Sequence, residues 1–269
     1  MLNLMFATYR KNRIAIKRAL PVSFFLSRVF GGVFAIIFPY FVYHYFLRGS
    51  LSPEFAAYAN GADYLTYIVL GAALNVLAVA TLMNIGRALI TEMREGTLEI
   101  FLISPASRGG YFLGCLLEQT SRALLEFAVV LLAGRLLGAK LTHLLTWEAL
   151  LAIFLAMFSF FCLGLTLSAI MLRTRDTYIS QNTLFTTMTL LCGVMYPLEY
   201  LPLPLQKLAQ IFPLTPAAAL FRAVVIQGRA LADNLGLLLQ ICLLCLIYAL
   251  VGLVWFRKLE RTLVERLFS

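Results

Sequence analysis

Five stretches of this chain contain no Asp, Glu, Lys or Arg: 29–47, 64–86, 149–172, 177–198 and 234–256. An α-helix rises about 1.5 Å per residue, so roughly 20 apolar residues cross a hydrocarbon layer about 30 Å thick. Each of the five is long enough. Of the 269 residues, 61% are hydrophobic and 13% charged, against roughly 45–50% and about 25% in a soluble domain. A soluble globular protein is excluded, and the chain is expected to be an all-α, polytopic membrane protein.

A sixth span is expected at 110–137, although Glu118, Arg122 and Glu126 interrupt it. Four-residue spacing stacks these three on one helical face, with the arginine between two carboxylates. Charge in hydrocarbon is costly unless it is paired or faces a protein interior or water, so this face is not expected to see lipid. Two readings follow: an internal ion-pair set that holds the span against its neighbours, or charges that line a path and select a charged head group. Gly134 and Gly138 on the same span form a small-xxx-small pair suited to close helix packing.

Residues 1–27 place Leu2, Met5, Phe6, Tyr9, Ile16 and Leu20 near one side and Arg10, Lys11, Arg13, Lys17 and Arg18 mostly on the other. That pattern predicts a helix lying in the membrane interface, ended by Pro21. With no small-residue cleavage site before the first span, this segment is not expected to be a cleaved signal. Six spans put both termini on one side, which then carries 15 of the 22 Lys and Arg residues. The bias places both termini and the segment 87–108 in the cytoplasm. It also accounts for the net charge of +9 without nucleic acid.

The external stretch 199–228 is too apolar to be a solvated loop and too interrupted by proline for two full crossings. Short helices that re-enter the outer leaflet, broken at Pro202, Pro204, Pro213 and Pro216, are expected there. The alternative is a helix lying flat on the outer surface.

Enzyme constellations are missing. There is no GxxxxGK[ST] phosphate loop, HExxH or GxSxG, and the two histidines, His44 and His143, fall near the outer face. The five cysteines lack metal-ligand spacing, so no metal is expected. The informative segment is cytoplasmic, from Thr91 to Arg108. Leu98, Phe101 and Leu102 share a helical face there, while Arg94, Glu95 and Glu99 supply mixed charge. An amphipathic surface of this kind suits docking to a soluble partner; the other reading is a solvated turn between two spans.

The run Arg94-Glu-Gly-Thr-Leu-Glu99, followed by Ser104-Pro105, resembles the signature of ABC-2 type transporter permeases, particularly the drug-export-like branch. A second run is similar to the family's region between spans 5 and 6: Gly193, Tyr196-Pro197, Leu201-Pro202, Gln206, Pro213-Leu-Thr215 and Arg222. The order of elements matches as well, over nearly the whole chain. The resemblance implies a half-size permease subunit of an exporter in a bacterial or archaeal cytoplasmic membrane. It binds no cofactor itself, and ATP and Mg belong to a separate ATPase subunit. By position, the coupling residues are Glu92, Arg94, Glu95, Gly96, Thr97, Leu98, Glu99, Phe101, Ser104 and Pro105. A second copy of the chain or a sister permease, together with membrane lipid, completes the expected surroundings.

Two rival functions are weighed against this. An ion-coupled secondary transporter would show internal repeats with matching mid-membrane breaks, and a lipid-modifying enzyme would need converging acid, base or metal ligands; the sequence has neither. Drugs, lipids, peptides and glycans all remain open as substrates.

Overall fold

A computed structural model describes residues 2–19, 22–46, 48–49, 53–59, 61–82, 84–97, 100, 107–174 and 178–268. These residues are overwhelmingly helical, with no strand among them. The chain runs through α1 (Leu2–Ala19), α2 (Val22–Phe41, continued by a π-helical turn Val42–Phe46), α3 (Pro53–Tyr58), α4 (Tyr64–Leu82) and α5 (Asn84–Arg94). It continues through α6 (Arg108–Leu136), α7 (Trp147–Thr174), α8 (Tyr178–Leu191), α9 (Leu203–Ala209), α10 (Leu214–Gln227) and α11 (Leu235–Phe268).

Local chemistry explains several ends. Asp63 precedes α4 and accepts from Thr66 N and Thr66 Oγ1 at 3.2 and 2.8 Å, so an otherwise orphaned amide is satisfied. Ser107 caps α6 by accepting from Gly110 N. Gly228 ends α10 at φ 63°, a left-handed position that costs glycine little.

At the centre lies α4. Of its residues, Leu65 to Asn75 and Leu77 to Leu82 are all buried, and α2, α6, α7, α8 and α10 surround it. Small residues allow the close approaches. A Cβ on Gly71 would stand 2.3 Å from the Val194 carbonyl oxygen, and one on Gly134 of α6 would stand 2.3 Å from Val69 Cγ1. At the periphery is α11, which lies along α7 and meets its backbone at Gly252, where a Cβ would sit 2.9 Å from Thr166 N. Its apolar window is only 17% buried within the chain, whereas the α4–α5 window is 93% buried.

Among the described residues, three stretches are long and apolar enough to cross a membrane, Tyr64–Arg94, Trp147–Leu172 and Leu231–Lys258, or four if the bent pair Leu203–Ala209 and Leu214–Gln227 is one span. The count of six expected from the sequence is larger for physical reasons. Helix α6 has 29 residues, roughly 44 Å at helical rise, but carries its charges mid-length. Helix α8 ends at Leu191 rather than 198, because Gly193 at φ 68° turns the chain. Its 14 residues reach only about 21 Å. Helix α2 begins at Val22, seven residues before the expected span at 29.

The proline-rich stretch folds as α9 and α10, bent by 86°. Pro202 and Pro213 precede the two helices, as breaks should. Pro204 and Pro216 do not break anything: they sit in the first turns, where a helix has no use for the missing N–H. Gly138 likewise departs from expectation. It has no neighbour within 4 Å of its Cβ position and adopts φ 105° just beyond the end of α6, so of the expected glycine pair only Gly134 packs.

Replacing Gly71 with Ala should force the α4 backbone away from Val194. A loss of about 1–3 kcal/mol is expected, measured as a lowered unfolding temperature of the detergent-solubilised protein.

Candidate functional site

The α4–α5 column carries an interlocked cluster of polar contacts near each end. At its C-terminal end, Glu92 is 6% exposed, and three elements converge on its carboxylate. Lys11 Nζ of α1 donates to Oε1 at 2.5 Å, Thr97 Oγ1 donates to Oε2 at 2.5 Å, and Tyr111 OH of α6 donates to Oε1 at 3.3 Å. The carboxylate thus ties the N-terminal helix, the end of α5 and the start of α6 together. It is buried, and three protein donors, one of them a cation, reach its two oxygens, which meets the condition for burying a charge.

The turn after α5 has a specific geometry. Thr97 N donates to Glu92 O at 2.9 Å and Gly96 N to Met93 O at 3.3 Å, with Gly96 at φ 71°. These are the two bonds of a Schellman cap, whose left-handed position suits glycine. Arg94, Glu95 and Gly96 are exposed on it, and Ile100 is 70% exposed. The turn therefore has an anchored inner side, Glu92 and Thr97, and an exposed outer side of mixed charge. Leu98, Glu99, Phe101, Ser104 and Pro105 lie outside the described residues.

Helix α1 docks on α6 by close contact. A Cβ on Gly114 would stand 2.6 Å from Met5 O and 2.7 Å from Thr8 Cβ, and Thr8 is buried. Asn12 Nδ2 donates to Cys115 Sγ at 3.3 Å. The roles of Lys11, Thr8, Tyr111 and Gly114 escaped the sequence reading. An amphipathic segment shows that α1 has an apolar face but does not name the helix it meets.

Further along α6, Glu118, Gln119 and Glu126 are buried. Arg122 Nε lies 2.9 Å from Glu118 Oε1, and Arg122 Nη2 donates to Glu118 Oε2 at 3.1 Å and to Gln119 Oε1. The arginine is thus held by the preceding turn of its own helix.

At the N-terminal end of α4, Arg222 of α10 is the organising group. It is 7% exposed, and its Nη2 donates to Tyr67 O and Val194 O, both at 3.1 Å. The guanidinium carbon stands 3.5 Å from the Tyr67 ring centroid, and Tyr67 OH donates to Gly193 O at 3.0 Å. Gly193 and Arg222, which the sequence grouped only by order, are joined through Tyr67. Pro197 is buried ahead of a 3₁₀ turn, Leu198–Tyr200. Gln206 Nε2 donates to Leu201 O at 2.8 Å. Pro202 and Pro213 stand immediately ahead of α9 and α10.

Residues 4–226 match the ABC-2 type transporter family, and the match takes in both polar clusters. The chain belongs to the ABC-2 type transporter family. Among curated relatives, this ABC-2 permease is similar to nodulation protein J of Rhizobium leguminosarum bv. viciae. The two are 25% identical over 265 residues, 96% of this chain and 95% of the relative. It is also similar to nodulation protein J of Sinorhizobium fredii (strain NBRC 101917 / NGR234), at 26% identity over 212 residues and 77% of each chain. The chain is therefore a permease component of an ABC transporter, a multi-helix membrane protein whose family works with an ABC ATPase.

Two substitutions test the geometry of the ABC-2 permease. Glu92→Gln should loosen α1 by about 1–3 kcal/mol, the range for breaking a charge-assisted bond to a half-exposed lysine. Faster tryptic cleavage at Arg10 and Lys11 is the measurement. Arg122→Leu leaves the Glu118 carboxylate buried without its cation, at a cost of about 3–5 kcal/mol. Loss of folded protein is expected in size-exclusion profiles, with recovery in the Arg122→Leu/Glu118→Gln double variant.

Proposed function

We propose that this chain is the membrane-spanning permease subunit of an ABC exporter in the cytoplasmic membrane, with six spans and both termini inside. ATP hydrolysis is supplied by separate ATPase subunits that carry the ATP and Mg and dock on residues 91–105. A second copy or a sister permease supplies the other half of the translocation path.

The observation that carries this reading is the two-sided turn after α5. Its exposed outer surface, Arg94–Gly96, offers a partner both signs of charge. Its inner surface is bonded through Glu92 to α1, α5 and α6 at once. A push on the outside would therefore move three helices as one body rather than bend a loop. Such a rigid unit suits the tilting of permease halves between inward and outward access. The low burial of α11 supports a molecule whose periphery meets lipid or another subunit. The 17 buried residues of α4 support a span surrounded by others.

The complex reconstituted with its ATPase tests this. Glu95→Lys, at an exposed position, should lower transport-coupled ATPase stimulation by about tenfold, a change of ~1.4 kcal/mol in coupling, while membrane insertion is retained. A cysteine placed at Glu95 should cross-link to the ATPase. Unchanged stimulation, or a cysteine there that captures no subunit, would overturn the docking role.

A further inference from the structure

Between α3, α4, the turn after α8 and α10 lies a cavity of about 100 Å³, lined by Tyr58, Tyr67, Glu199, Thr215, Ala219 and Arg222 among others. We propose that it is a binding site for a small oxyanion, a carboxylate or phosphoryl group, held by the Arg222 guanidinium.

The argument starts from what Arg222 lacks. Both of its Nη2 bonds go to neutral carbonyls, Tyr67 O and Val194 O, and its flat face rests on the Tyr67 ring. Its Nε–H is buried and finds no acceptor among the described residues. No ion pair involving Arg222 occurs among them either, although ion pairs form at Lys11–Glu92 and Arg122–Glu118. A buried cation with an unmet donor is costly, and here the group lines an open space. At roughly 30 Å³ per water, the cavity has the size of about three waters, enough for one carboxylate or phosphoryl group. An anion there would both accept from Nε and neutralise the guanidinium in surroundings of low dielectric.

Glu199 sets the terms of entry. It lines the same cavity but is exposed, so its negative charge stands at the rim while the positive charge stands at the floor. Its negative charge opposes a second anion in the same cavity, so its removal should tighten binding. The site rests on this geometry alone, and its failure would leave the permease reading untouched.

The test uses the full chain in lipid nanodiscs, titrated calorimetrically with sodium acetate or inorganic phosphate, with sodium chloride at matched ionic strength as the control. Saturable binding of acetate, phosphate or both is expected, and the anion that binds identifies the carboxylate or phosphoryl arm. Ala219→Leu fills the cavity without touching the two carbonyl bonds of Arg222 and should abolish the binding. Glu199→Gln should raise the affinity several-fold. If neither anion binds above chloride, or if binding survives in a folded Ala219→Leu variant, the proposal is overturned. Should Ala219→Leu unfold, Glu199→Gln decides alone, and an unchanged affinity rejects the site.

Discussion

Hydrocarbon offers no hydrogen-bond partner, so each polar group carried into it must bring its own. That constraint organises the whole chain. Backbone groups are satisfied by making the described residues helical. Buried charges are held in small sets whose partners come from protein, with the Arg222 Nε–H left over. Glu92 is filled by Lys11, Thr97 and Tyr111; Glu118 is met by Arg122; Arg222 is laid on Tyr67 and two carbonyls. The Glu92 and Arg222 sets double as fastenings, because their members come from different helices and turns, whereas Arg122 and Glu118 pair within α6.

The apolar part contributes differently. A lipid tail is as apolar as leucine, so helices in a membrane are selected for fit rather than for burial. The close approaches occur at small residues, namely Gly71 against Val194, Gly134 against Val69, Gly114 against Met5 and Thr8, and Gly252 against the α7 backbone. Those contacts set how near α4, α6, α1 and α11 come to their neighbours. The polar sets then fix register and rotation.

How much of this was legible in the sequence follows from the same physics. Helical class, membrane residence and the family were readable, since uncharged runs of 19 to 24 residues and the Arg94–Glu99 and Gly193–Arg222 motifs are properties of consecutive residues. Which helix is central was not. The runs at 64–86 and 234–256 look alike in composition, yet one is enclosed and the other peripheral, because hydropathy cannot tell a protein neighbour from a lipid one. Apolarity runs past a helix end where a turn intervenes, as at Gly193. Proline at positions 204 and 216 breaks no helix, because first-turn placement removes its cost. The Glu92 set was invisible for another reason: its members are 11, 92, 97 and 111, and no periodic pattern links α1 to the end of α5. Arg122 stood between two carboxylates in the sequence, and its nearest partners proved to be Glu118 and Gln119.

The Tyr64–Arg94 column has a consequence of its own. Its 31 residues extend roughly 46 Å if fully helical, so the carboxylate knot and the guanidinium knot sit near the two tips of one strut. A displacement imposed at the Glu92 end and carried along α4 and α5 would reach the Tyr67 end as a shift of Arg222 and the bent pair α9–α10.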